Sequence, residues 1–106
     1  MDRQNPQNLE DWRKRIDELD LKLLGLLNER ARHADEIGKL KRDLGIDGYA
    51  PEREEEIIRN VLQNNPGPLE PEAVRRLFER IIDESRRLER RAIEKRKEQK
   101  DGSKRG

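Results

Sequence analysis

The stretch Leu9–Leu44, LEDWRKRIDELDLKLLGLLNERARHADEIGKLKRDL, decides the fold. Within it Leu9, Trp12, Ile16, Leu19, Leu23, Leu26, Arg30, His33, Ile37, Leu40 and Leu44 recur at alternating steps of three and four, an unbroken heptad seam. That spacing returns to one face on every turn, so the stretch reads as one helix of about 36 residues, about 54 Å long at ~1.5 Å per residue. Leu24, Leu27, Ala31 and Ala34 widen the apolar stripe beyond a narrow seam. The rest of a 106-residue chain is too short to cover such a surface, so the helix needs several neighbours.

Working outward, Gly45 is a natural helix stop and Gly45 to Ala50 a loop, with Pro51 suited to the first turn of a second helix. That helix runs to about Gln63 and carries Ile57, Ile58, Val61 and Leu62 on its inner face. Asn64, Asn65, Pro66, Gly67 and Pro68 form a strong breaker. Pro71 then opens a third helix, with Val74, Leu77, Phe78, Ile81, Ile82, Ser85, Leu88 and Ala92 at helical spacing. No segment alternates as a strand would. The expectation is an all-α chain of three helices with a very long first one. A disordered segment over residues 1–8 precedes a helical domain over 9–92, and a charged tail over 93–106 is frayed or disordered.

Composition alone points elsewhere. At 46% charged and 30% hydrophobic the chain sits near the disordered class, and only the periodicity overrules that. The 25 basic and 24 acidic residues interleave, which describes solvated helix faces rather than a nucleic-acid surface. There is no cysteine and one histidine, so a disulfide framework is impossible and a zinc site is not expected. No apolar run approaches the roughly 20 residues of a membrane span, and a cytoplasmic protein is the expectation.

Polar residues in apolar places carry the functional reading. Arg30 shares a seam position with Ile16, Leu23, Ile37 and Leu44, and a guanidinium there needs an answering anion. A structural ion pair with another helix and an anionic ligand both satisfy it. Lys41 lies three turns on at nearly the same azimuth, about 16 Å along the axis, so the two side chains can converge on something between them. Arg13 faces the same side about 25 Å the other way and cannot share that ligand within one helix. If two copies pack with their long helices antiparallel, Arg13 of one arrives near the far half of the other. Taken singly, Lys41 and Arg13 read first as snorkelling surface cations. On helix three, Ser85 and Glu89 lie four apart on the inner stripe; Ser85 can instead bond back to its own helix, and Glu89 can form an ion pair at the seam edge. Arg53 and Glu54 stand at the start of helix two, where Glu54 either serves a site or merely complements the dipole. His33 reads as a satisfied core side chain without a role. Neither a nucleophile motif, a phosphate-binding glycine loop nor a metal cluster is present in the sequence.

Five segments together, LEDWRKRIDELD (9–20), LLGLLNER (23–30), IGKLK (37–41), PERE (51–54) and FERIIDES (78–85), resemble the all-helical chorismate mutases. The resemblance spans about Leu9 to Glu89. It implies an interlocked homodimer of three-helix chains that binds chorismate and rearranges it to prephenate, a step in aromatic amino-acid biosynthesis, with no cofactor. It also implies site residues: Arg30, Lys41, Arg53, Glu54, Ser85 and Glu89 from one chain, and Arg13 from its partner. The arginines and Ser85 would hold the two carboxylates, Glu54 would accept from the ring hydroxyl, and Lys41 with Glu89 would donate to the ether oxygen, making Lys41, Glu89 and Arg30 the catalytic set. A Claisen rearrangement suits that inventory, because it needs a substrate held in a reactive conformation and stabilised charge on the breaking ether oxygen, not a nucleophile.

Two positions depart from the family. Ala50 stands where some members have Asp, and Glu89 where many bacterial members have Gln. A carboxylate cannot donate, so Glu89 would serve the ether oxygen only when protonated, which predicts activity falling above neutral pH. Two other readings are open to the same residues: a lyase acting on isochorismate, which shares the fold and most of the cations, and a helical dimerisation module without catalysis.

Overall fold

A computed structural model of the chain describes residues 7–46 and 48–105. Three helices account for most of them: α1 (Leu9–Leu44), α2 (Pro51–Gln63) and α3 (Pro71–Arg105). No strand occurs among the described residues. No helix among them is long and apolar enough to cross a membrane. The boundaries of α1 and α2 fall where the punctuation of the sequence puts them. The chain divides into two compact units, residues 1–32 and 33–106.

In the first unit α1 begins at a cap. Asn8 Oδ1 accepts from the backbone N–H of Asp11 at 2.9 Å, and its carbonyl accepts from Trp12 at 3.3 Å. Asn8 therefore ends the N-terminal segment that the sequence suggests is disordered; the remainder of that expectation, residues 1–6, lies outside the described residues. Along the helix the heptad seam is bare. Trp12 is 53%, Leu19 60% and Leu26 63% exposed, and no described residue of this unit is buried. Arg15 lies over the Trp12 ring at 5.9 Å, one helical turn on. Covering six such side chains would contribute on the order of 10 kcal/mol, comparable to the stability of a whole domain.

The second unit has a core of small and branched residues: Ala34 from α1, Ile58 from α2, and Val74, Ile82 and Ala92 from α3. Ile57, Val61 and Leu62 are half-buried, whereas Leu77, placed on the inner stripe by its spacing, is 54% exposed. His33 is exposed as well, not a core side chain in this chain. The closest approach is at Gly38. A Cβ there would lie 2.7 Å from the carbonyl oxygen and 2.8 Å from the Cα of Glu89, and 2.9 Å from the Ala92 Cβ, so α1 and α3 touch backbone to backbone.

Two junctions shape this unit. At the end of α1 the N–H of Gly45 bonds the Arg42 carbonyl at 3.1 Å and that of Ile46 bonds the Lys41 carbonyl at 2.8 Å, with Gly45 at φ 69°. This paired pattern satisfies two terminal carbonyls and needs the left-handed conformation glycine adopts without strain. At the start of α2, Ala50 occupies the N-cap and offers no side-chain hydrogen bond, and Pro51 sits in the first turn. The departure at position 50 thus leaves a helix end without a side-chain cap.

α3 continues as helical backbone to Arg105, past Ala92, where the apolar stripe ends and the sequence suggests fraying. Ile93 is half-buried, and a Cβ on Gly48 would meet its Cδ1 at 3.4 Å, so the packed part of α3 reaches at least one residue into the supposed tail. The physical reason is the helical period: Ile93 follows Glu89 by four residues and falls beside the α1–α2 loop. Glu, Lys and Arg are good helix formers and can carry the backbone further without burial.

Candidate active site

The second unit brings Lys41 and Glu89 together. Lys41 Nζ donates to Glu89 Oε1 at 2.8 Å, and the two side chains retain only 21% and 16% of their exposure. The same ammonium lies 3.5 Å from the Gly48 carbonyl. Two features make this placement: the glycine stop folds the loop back over the last turn of α1, and the bare backbone of Gly38 lets α3 come close enough for Glu89 to reach Lys41. A short charge-assisted bond of this kind, shielded from solvent, holds both groups in one orientation. The sequence leaves an ion pair at the seam edge open for Glu89; in the structure its partner is a lysine on α1.

Glu54, in the first turn of α2, is held from α3. Arg86 Nε donates to Glu54 Oε2 at 3.0 Å and its Nη2 to Oε1 at 2.5 Å, a two-pronged pair across the helices. The Arg86 pKa is raised above its ordinary value, chiefly by this hydrogen bonding to Glu54, with burial opposing. Asp83 lies 3.5 Å from the Arg86 Nη1, one turn back along α3. Glu54 therefore does more than complement the dipole of α2.

Other expected site residues point differently. The Arg53 side chain is 64% exposed and pairs with Glu56 along its own helix. Ser85 Oγ donates to the Ile81 carbonyl at 3.0 Å, the backward bond that its sequence position allowed. Arg13 and Arg30 belong to the first unit, where Arg13 is exposed and Arg30 half-buried. A cleft of about 820 Å³ runs between α2 and α3, floored by Ile58 and Ile82 and flanked by Arg59 and Arg75. Of the expected site residues only Glu54 lines it.

Sequence reasoning missed Arg86 and Gly38. Arg86 sits in the run Ser85-Arg86-Arg87-Leu88-Glu89-Arg90-Arg91, where nothing local distinguishes it from the other arginines. Gly38 did have a signal, an isolated glycine inside a strong helical pattern four residues after Ala34, the spacing of a close helix contact.

The arrangement is a three-helix unit with a paired lysine and glutamate and a second, arginine-gripped glutamate, on a chain whose long helix has an exposed apolar seam in its first unit. The family model for chorismate mutase type II matches residues 12–90, and the chain belongs to that family. It is similar to the form II structure of chorismate mutase from Thermus thermophilus, with a TM-score of 0.78 and 40% identity over 80% of this chain and 97% of that one. A bifunctional chorismate mutase/prephenate dehydratase of Neisseria gonorrhoeae is 45% identical over 78 residues, 74% of this chain and 21% of the relative. The chorismate mutase of Methanocaldococcus jannaschii is 40% identical over 55 residues, 52% of this chain and 56% of the relative. The chain thus spans only 21–24% of the bifunctional relatives it matches.

Proposed function

We propose that this chain is a cytoplasmic chorismate mutase, an isomerase of aromatic amino-acid biosynthesis, acting as an interlocked homodimer. The observation that carries this reading is the shielded Lys41–Glu89 pair in a member of this family. Chorismate is a dianion whose enolpyruvyl ether must fold over its ring. Arg30, Arg53, Ser85 and Arg13 of the partner subunit hold the two carboxylates. Glu54 accepts from the ring hydroxyl, and Lys41 and Glu89 face the ether oxygen, where negative charge develops as the C–O bond breaks. The reaction is unimolecular, so a fixed conformation and fixed cations supply the catalysis.

Two observations support the remaining parts. Arg53 is tied to Glu56 only by an exposed pair, worth about 0–1 kcal/mol, which a substrate carboxylate in a drier site displaces readily. The bare seam of α1 in the first unit is a surface that a second copy of the same helix would cover. Consumption of chorismate, followed by its absorbance with the product identified as prephenate, tests the activity, and solution mass tests the dimer. Unchanged chorismate across pH 5 to 9 would refute the assignment.

A shared pocket makes a sharper prediction. Arg13→Ala and Lys41→Met are each expected to be nearly inactive alone. Refolded together, they form a mixed dimer in which one site has Lys41 from one chain and Arg13 from the other, restoring roughly a quarter of wild-type activity by random pairing. A mixture as inactive as its parents would mean that Arg13 serves its own chain.

Glu89→Gln tests the carboxylate separately. Paired with the Lys41 ammonium it accepts rather than donates, and it serves the ether oxygen as a donor only when it carries a proton. In Glu89→Gln the side chain carries an N–H donor at every pH, and kcat/KM for chorismate is expected to rise. An unchanged kcat/KM in Glu89→Gln would remove Glu89 from the mechanism.

A further inference from the structure

We propose that Arg86 is a positioning residue for substrate: by gripping both carboxylate oxygens of Glu54 it fixes the direction in which Glu54 accepts the ring hydroxyl. This rests on the role given to Glu54 above and adds a residue that touches no substrate itself. The geometry is specific. The two bonds, 3.0 Å to Oε2 and 2.5 Å to Oε1, come from Nε and Nη2, one edge of the planar guanidinium. An edge-on pair of this kind fixes both the distance and the plane of the carboxylate, whereas a lysine fixes only a distance. Each carboxylate oxygen keeps a further lone pair for a ligand.

The location fits that task. Glu54 lies in the first turn of α2, where its backbone N–H bonds the Ala50 carbonyl at 3.2 Å while its side chain reaches across to α3. Arg86 follows Ser85 directly on α3 and precedes Glu89 by three residues. One α3 segment thus carries Glu89, which meets Lys41, and Arg86, which meets Glu54. Asp83, one turn earlier, steadies the other side of the guanidinium. The pair is a third exposed on the Arg86 side and a quarter on the Glu54 side, so its contribution to stability is small and its main consequence is orientation.

A double-mutant cycle tests the assignment in the full chain. Arg86→Gln is expected to lower kcat/KM for chorismate about 10-fold or more, Arg86→Lys to recover only part of that, and neither to move the unfolding midpoint by more than a few degrees. In the Glu54→Gln background the same Arg86→Gln change is expected to alter kcat/KM less than about twofold, because there is no carboxylate left to orient. A costly Glu54→Gln with an additive or silent Arg86→Gln overturns this proposal and leaves the role of Glu54 standing. A Glu54→Gln variant as active as wild type overturns both. Full recovery by Arg86→Lys shows that charge alone matters and overturns the positioning role.

Discussion

Replacing Lys41 by Met is expected to lower kcat for chorismate by at least about 100-fold while the chain still folds, because a donor aimed at developing charge contributes roughly 2.7–4 kcal/mol to the barrier. Methionine keeps the length and most of the apolar contact of the lysine stem. What is lost is the ammonium 2.8 Å from Glu89. The effect is predicted to fall on kcat more than on KM, since the ether oxygen gains its negative charge only in the transition state. Glu89 is left shielded and without this partner, so some stability is lost as well, but less than the roughly 3–5 kcal/mol of a fully buried pair. Circular dichroism and denaturant unfolding alongside the chorismate assay separate the two effects. A Lys41→Met enzyme within a few-fold of wild-type kcat would exclude the ammonium from the chemistry.

The second large effect is expected from a single methyl group. Gly38→Ala puts a Cβ 2.7 Å from the Glu89 carbonyl oxygen, 2.8 Å from its Cα and 2.9 Å from the Ala92 Cβ. Two of these atoms are backbone and cannot rotate away, so α1 and α3 must separate. Overpacking of this kind destabilises by about 1–3 kcal/mol, from which the better helix propensity of alanine recovers up to about 1. Activity suffers more than stability. Lys41 is on α1 and Glu89 on α3, so the displacement acts directly on their 2.8 Å contact, and a misplacement of about 1 Å in a catalytic constellation can cost about 100-fold. Wild-type turnover in a folded Gly38→Ala variant would show that the close crossing does not set the site geometry.

Both predictions depend on side chains that the sequence exposes to different degrees. As a candidate, Lys41 could be singled out because it is a cation on a predicted helix, in phase with Arg30, in a segment that resembles a known family. The helices were legible for simpler reasons: a heptad period over Leu9–Leu44, Gly45 at a stop, and Pro51 and Pro71 at starts. These are local properties of the chain, and local physics enforces them. Asn8 as the first cap belongs with them, although its polar surroundings hid it.

The pairings required the tertiary structure. Lys41 meets Glu89 across 48 positions and Arg86 meets Glu54 across 32, and no local rule chooses Arg86 among its neighbouring arginines. Which polar groups meet is set by where the helices cross, and that depends on backbone approach at Gly38 and on the turn after Leu44. Leu9–Leu44 by its own pattern determined a long helix with an apolar face too large for one small chain. Its last turns acquire their chemistry only when α3 packs against them, because an ion pair exists only once both charges arrive at one place, shielded from water.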